Sequence, residues 1–156
     1  MEKIRSVLFV CTGNSCRSVM AEALMRKKLG EFGIEGVGVS SAGVAASDGF
    51  PPTEETIEVM REEGIDVADF RSRRLNAGMI KNSDLILVIE PVHREEVIIK
   101  DPSAAGKTFL LKDYAACSGG GRPGRRVVDP IGMPVEDYRR VRDEIKDEIE
   151  RIVKGL

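Results

Sequence analysis

No apolar run in the 156 residues approaches the roughly 18 that a membrane span requires. The charged start Met1–Ser6 leads into Val7–Val10, a run too short for the core of a signal peptide. The chain is therefore expected in the cytoplasm, away from membranes. Charge of one sign is also missing. A net charge of -2 argues against a nucleic-acid-binding surface, though not against a small anionic ligand, for which one local cluster of donors suffices. Cysteine and histidine are scarce. Cys11, Cys16 and Cys117 are too few, and odd in number, for a disulfide framework. With His93 the only histidine and no Cys-x-x-Cys pair, a zinc site is not expected. What remains is the composition of a soluble globular protein, 42% hydrophobic and 32% charged, long enough for a single domain over residues 1–156.

The order of elements is legible. Ser6–Val10 reads as a buried strand, Val19–Leu29 as a helix stopped by Gly30, and Val37–Ser41 as a second strand. Thr53–Glu63 is a helix capped by Thr53 and ended by Gly64, and Asp84–Ile89 a third strand. Pro91–Ile99 reads as a helix with proline in its first turn, Thr108–Leu111 as a short fourth strand, and Ser118–Gly124 as a glycine-rich loop. Pro134–Val153 carries Tyr138, Val141, Ile145, Ile149 and Ile152 on one face of a last helix. Strands alternating with helices predict a three-layer α/β fold, a four-stranded parallel sheet with helices on both faces. Ligands of such sheets bind beyond the carboxyl ends of the strands, where the segment Cys11–Ser18 falls.

That segment, CTGNSCRS, joins the first strand to the first helix. A cysteine followed six positions later by an arginine is weak evidence alone; the strand before it, the turn formers within it and the helix after it make it specific. Thr12, Gly13, Asn14, Ser15 and Cys16 supply consecutive backbone N–H groups that a tight loop converges on an anion. The helix adds its free N–H groups and the positive end of its dipole. Arg17 offers a planar fork for two phosphate oxygens. The same positive field is expected to lower the pKa of Cys11 and make it a thiolate nucleophile. Ser18 is a candidate donor to that thiolate as well as an N-cap, and Asn14 a candidate brace of the loop. Glu22 is expected to face the loop or the solvent and receives no catalytic role.

A phosphatase built on this loop needs an acid for its leaving group and then a base for the attacking water. Asp129-Pro130 is the candidate, a rigid extended dipeptide anchored by Val127 and Val128. Asp101-Pro102 has the same pattern, so the dipeptide alone leaves the choice open.

The stretch VLFVCTGNSCRSVMAEAL, Val7–Leu24, resembles the N-terminal signature of the low-molecular-weight protein tyrosine phosphatases. SSAG at Ser40–Gly43 and DPIG at Asp129–Gly132 fall where that family has its second-strand serine and its acid loop, so the likeness covers nearly the whole chain. It implies Cys11 as nucleophile, Arg17 as phosphate clamp, Asp129 as acid and then base, and Asn14, Ser18 and Ser41 as loop supports. It also implies no metal or cofactor, with phosphorylated proteins or peptides as substrates and inorganic phosphate or other oxyanions as loop ligands. Val19 replaces the usual proline. Phe70 stands in the place of a histidine that braces the loop in many members. Ile131 and Gly132 replace the aromatic residues that wall a phosphotyrosine ring. Ser15 is small and polar where tyrosine-directed members often carry a larger aliphatic residue. It is closer to the threonine of the protein arginine phosphatase branch, so phosphoarginine rivals phosphotyrosine as substrate, with Ser15 and Ile131 as specificity residues.

Two further readings belong to other classes. Thiol-linked arsenate reductases share the loop but need more cysteines around the third strand, and Lys81–Ile99 has none. A phosphoprotein-binding module without catalysis is disfavoured by the intact set Cys11, Arg17 and Asp129. Cys16, in the same loop as Cys11, is a possible redox partner for it or a packing residue beneath the loop. Cys117 is expected to be a buried small hydrophobe. The basic residues Arg71, Arg73, Arg74, Arg122, Arg125 and Arg126 are expected at the surface, and so is His93.

Overall fold

The computed structural model describes residues 3–117 and 126–156. The glycine-rich loop Ser118–Gly124, with Arg122, and Arg125 lie outside the described residues, and so does the side chain of Cys117. Strands β1 (Ser6–Cys11), β2 (Gly38–Gly43), β3 (Leu85–Val88) and β4 (Thr108–Leu110) form one parallel sheet in the order β2-β1-β3-β4. Helices α1 (Arg17–Glu31), α2 (Glu54–Arg61), α3 (Ala77–Lys81), α4 (Pro91–Lys100), α5 (Leu111–Cys117) and α6 (Val135–Lys154) connect and cover it, with a 3-10 turn at Pro102–Lys107.

Strand alternation divides the core into two faces. Val7 and Phe9 of β1 and Leu85 and Leu87 of β3 meet α1, α2, α5 and α6 through Met20, Leu24, Met60, Leu111 and Ile145. Leu8, Val10, Ile86 and Val88 point the other way, onto Ile80 of α3, Val97 of α4 and Ala104. The three-layer α/β architecture expected from the sequence is the one observed. Tyr138, Val141, Ile145, Ile149 and Ile152 are all buried, as the pattern of the last helix requires.

The differences are local. Helix α1 starts at Arg17, two positions before the expected Val19, so Arg17 and Ser18 occupy its first turn. Strand β2 runs on to Gly43 because Ala42 and Gly43 pair with Val10 and Cys11. Leu111 opens a helix rather than closing β4. Helix α3 has five residues, too few to show a period, and is fixed by its cap, the Asn76 side chain accepting from the Met79 N–H at 2.9 Å. Among the described residues no helix is long and apolar enough to cross a membrane, and no cluster of three or more His, Cys, Asp or Glu residues has a metal-holding arrangement.

Candidate active site

β1 ends at Cys11 and α1 begins at Arg17, so the loop between them sits at the carboxyl edge of the central strands. A cleft of about 90 Å³ opens there, lined by Cys11, Thr12, Gly13, Ser15, Cys16, Arg17, Asp129 and Ile131. At roughly 30 Å³ per liquid water, that is room for a phosphoryl-sized group.

The loop is held at both ends. Asn14 adopts φ 53, a left-handed conformation that asparagine tolerates better than most residues. Its side chain is fully buried, with Nδ2 donating to Ser18 Oγ at 2.8 Å and to Ser41 Oγ at 3.0 Å and Oδ1 accepting from the Arg73 N–H at 2.9 Å. Gly43 lies beneath. A Cβ there would meet the Thr12 carbonyl oxygen at 2.5 Å and the Asn14 nitrogen at 2.9 Å, so only glycine lets the strand pass this close to the loop.

Cys11 Sγ is 2.8 Å from Ser18 Oγ and accepts from the Asn14 N–H at 3.3 Å. Burial pushes the Cys11 thiol up, while the Ser18 hydroxyl and N–H, the Asn14 N–H and the Arg17 guanidinium pull it back. The net direction is upward, against the lowered value expected from the loop pattern. The physical reason is near-complete burial of the residue at the cleft floor. Its thiolate therefore depends on those few donors.

Arg17 is only 3% exposed. Its Nη1 donates to Glu90 Oε2 at 2.7 Å and to the Val127 carbonyl at 2.8 Å, which commits both hydrogens of that nitrogen. Nε and Nη2 remain for an oxyanion. Glu90 Oε1 also accepts from Arg126 Nη1 at 3.2 Å. Burial would raise the Glu90 pKa, but Arg17, His93 and Arg126 outweigh it and hold the carboxyl below its ordinary value.

His93 is a correction to the sequence reading, which placed it at the surface. It is fully buried. Its Nδ1 accepts from the Glu90 N–H at 3.1 Å, so the proton of the neutral ring sits on Nε2, which lies 2.9 Å from Thr12 Oγ1. Burial, with the Arg17 charge, lowers its pKa to about 4. Glu90 and His93 form a capping box at the start of α4 and thereby tie that helix to the loop.

Asp129 is half-exposed at the mouth, Oδ2 lying 3.7 Å from Arg17 Nη2 and Oδ1 accepting from the Ile131 N–H at 3.1 Å. Val127 anchors the segment in the core, whereas Val128, expected as a second anchor, is 49% exposed, because successive residues of an extended segment face opposite ways. Ile131 is 57% exposed at the rim. Ser15 is half-buried in the cleft, and its carbonyl accepts from the Thr53 N–H at 3.3 Å. Cys16 is buried, with Sγ 3.5 Å from Thr53 Oγ1 and 3.9 Å from Tyr138 Oη. Phe50, an exposed aromatic three residues before Thr53, went unremarked in the sequence.

The structure thus gathers Cys11, Arg17, Ser18, Asn14, Ser41 and Asp129, as the sequence proposed, and adds Glu90, His93, Gly43 and Arg73. Glu90 and His93 could have been sought at the carboxyl end of the third strand, where ligand sites of parallel sheets cluster. The arrangement offers a sulfur nucleophile under a phosphoryl-sized cleft, a fixed cation and a carboxyl group at the mouth.

Residues 6–156 match the pattern of the family described as low molecular weight phosphotyrosine protein phosphatase. The chain is 37% identical to a protein-arginine-phosphatase of Geobacillus stearothermophilus, over 96% of its own length and 95% of the relative's. A solved low molecular weight protein tyrosine phosphatase from T. tengcongensis superposes with a TM-score of 0.87 at 37% identity, covering 97% of this chain and 99% of the other. Wzb of Vibrio vulnificus, solved in complex with benzylphosphonate, gives a TM-score of 0.86 at 29% identity, covering 99% and 100%.

Proposed function

This chain belongs to the low molecular weight phosphotyrosine protein phosphatase family, and from that premise we propose that it dephosphorylates protein side chains in the cytoplasm through a phosphocysteine on Cys11. The observation that carries the reading is Cys11 Sγ, hydrogen-bonded by Ser18 and Asn14, at the floor of a cleft shared with Arg17 and Asp129. The substrate phosphate enters the cleft and takes donors from the loop and from Nε and Nη2 of Arg17. The Cys11 thiolate attacks phosphorus in line with the leaving group, and Asp129 protonates that group as it departs. Water, activated by the same carboxylate, then cleaves the phosphocysteine. Ser18 stabilises the departing thiolate with its hydroxyl. Orthophosphate leaves, and each step balances without a metal or cofactor.

Phosphotyrosine is the first substrate, with Ile131 on one side of the leaving group. Phosphoarginine is the second reading, favoured by a specific observation: among the described residues, the cleft lining holds the Ser15 hydroxyl and the Asp129 carboxylate but no aromatic ring. A guanidinium leaving group finds acceptors there, whereas a phenol forfeits about 0.5–1.5 kcal/mol of ring contact. Peptides of both kinds, assayed in parallel with Cys11→Ser as the blank, test both claims. Turnover by the parent and none by the variant is expected, and the ratio of kcat/KM values assigns the substrate. No turnover of either would end the phosphatase reading.

A further inference from the structure

Phe70 has no hydrogen-bonding group, so the bracing that a histidine would give at its position must come from elsewhere. The directions of the hydrogen bonds around Asn14 identify the source. Oδ1 accepts from the Arg73 N–H, and Nδ2 donates to Ser18 Oγ and Ser41 Oγ. Each serine already accepts, and each still has one proton to place. Once Cys11 is a thiolate, the Ser18 proton has Cys11 Sγ, 2.8 Å away, as its acceptor. Ser41 places its proton on Glu22 Oε1 at 3.0 Å. A carboxylate has no proton to pass on, so Glu22 ends the chain and fixes its direction.

We propose that Glu22 is a positioning residue for Cys11: by accepting the Ser41 hydroxyl it locks the Asn14 carboxamide in the orientation that leaves the Ser18 proton on the Cys11 sulfur. The proposal rests on the reading of Cys11 as the reactive thiol.

The competing arrangement is the Asn14 carboxamide turned by half a revolution. Oδ1 would then face the two serines and draw their protons, and the sulfur would lose its hydroxyl donor. Two features oppose the turn. Nδ2 would confront the Arg73 N–H, donor against donor. Glu22 also holds the Ser41 proton. Ser41 is fully buried, so without Glu22 the turned carboxamide becomes its nearest acceptor.

The surroundings of Glu22 suit a fixed acceptor. It borders a cavity of about 620 Å³ lined also by Arg26 and Lys27 of α1 and by Asp66, Val67 and Phe70. Its Oε2 is 3.5 Å from Arg26 Nη2. Burial raises its pKa, and Arg26, the Ser41 hydrogen bond and Arg73 draw it back. The Phe70 ring brings no donor into that cavity, which leaves Oε1 to Ser41.

Charge and direction predict opposite signs, which makes the proposal testable. If Glu22 acted through its charge alone, any neutral replacement would lower the Cys11 pKa, because a nearby negative charge disfavours a thiolate. If it acts as the lock, only a replacement without an acceptor disturbs Cys11, and it does so upward. The measurement is the pH dependence of iodoacetamide alkylation at Cys11, resolved by peptide mass spectrometry, alongside kcat and melting temperature. Glu22→Met keeps length and helix propensity, and is expected to raise the thiol pKa and lower kcat by about tenfold. Glu22→Gln, whose amide oxygen can accept from Ser41, is expected to recover most of that loss. In a Ser41→Ala background, where no proton needs an acceptor, Glu22→Met should add nothing further. Equal downward shifts in the Met and Gln variants, or additive effects in the double variant, would overturn the proposal. Alkylation requires no substrate, so a parent that alkylates but fails on phosphopeptides would sink the function reading and leave this one standing.

Discussion

Glu90 Oε2 lies 2.7 Å from Nη1 of Arg17, and with the Val127 carbonyl it saturates that nitrogen and turns the rest of the guanidinium toward the cleft. The contact joins α4 to α1 across the carboxyl edge of the sheet. Glu90→Gln keeps the shape but weakens a charge-assisted bond to a buried cation, at a cost of about 1.5–3 kcal/mol. The expected outcome is a tenfold to hundredfold loss in kcat/KM by about that arithmetic, with weaker orthophosphate inhibition. Because its folded pKa is depressed, Glu90 stabilises the parent above the ordinary carboxylate range and loses that contribution as pH falls through the folded value. Acid unfolding of Glu90→Gln should therefore be less steep than that of the parent.

His93 is linked in the same direction, but through burial of a base rather than pairing of an acid. Its folded pKa of about 4 lies below the unfolded value of about 6.5, so the unfolded chain takes up a proton that the folded chain refuses. His93 costs nothing at neutral pH, and destabilises increasingly as pH falls from about 6.5 to about 4. NMR titration should find the ring neutral, with the proton on Nε2, through pH 5.5. Denaturant melts of His93→Gln should lack this acid-side loss. A ring that titrates near 6.5 would contradict the buried geometry.

Much of this was legible in the residues themselves. The continuous apolar run Ser6–Val10, and the alternation of such strands with helical stretches, contained the parallel sheet. The segment from Cys11 to Ser18 placed the site at its edge. What stayed hidden depends on distance along the chain. Glu90 meets Arg17 across 73 positions, and His93 meets Thr12 across 81, so no local pattern carries either pairing. A lone histidine among charged residues reads as surface until a buried loop is found beside it. Asn14 itself was legible as a brace, but the partner of its Oδ1 was hidden for another reason. Arg73 contributes its backbone N–H, which any residue there would supply, so side-chain identity held no signal.

As the proposed acid, Asp129 should have an effect that depends on the leaving group. Asp129→Asn removes proton transfer but keeps the turn bond that Oδ1 accepts from the Ile131 N–H. A loss of about 10²–10⁴ in kcat/KM, which reports phosphoryl transfer to Cys11, is expected for alkyl and phenyl esters, shrinking toward none for p-nitrophenyl phosphate, while kcat keeps a loss from the water step common to all leaving groups. A loss in kcat/KM uniform across leaving groups would assign Asp129 to binding instead.

Gly43 tests how closely the loop and β2 must approach. In Gly43→Ala the new Cβ falls 2.5 Å from the Thr12 carbonyl and 2.9 Å from the Asn14 nitrogen, both backbone atoms that cannot rotate away. The loop must move, at about 1–3 kcal/mol. The expected variant folds, melts lower and binds orthophosphate or vanadate at least tenfold more weakly, about the factor that 1.4 kcal/mol gives. Unchanged affinity would mean that the strand yields rather than the loop.

Cys16 bears on oxidation. Its sulfur is buried among Ser15, Thr53 and Tyr138, and Cys11 and Cys16 bound the same loop, both 3% exposed. On the reading of Cys11 as the reactive thiol, peroxide would convert its thiolate to a sulfenic acid, with which the Cys16 thiol would condense, releasing water and forming a disulfide. Such a bond would protect Cys11 from the irreversible sulfinic and sulfonic states. Mild peroxide should therefore inactivate the parent in a way that dithiothreitol reverses, with a Cys11–Cys16 linked peptide in the mass spectrum. Cys16→Ser should be inactivated irreversibly under the same treatment. Equal recovery of the two proteins would leave Cys16 as a packing residue held by its three polar neighbours and nothing more.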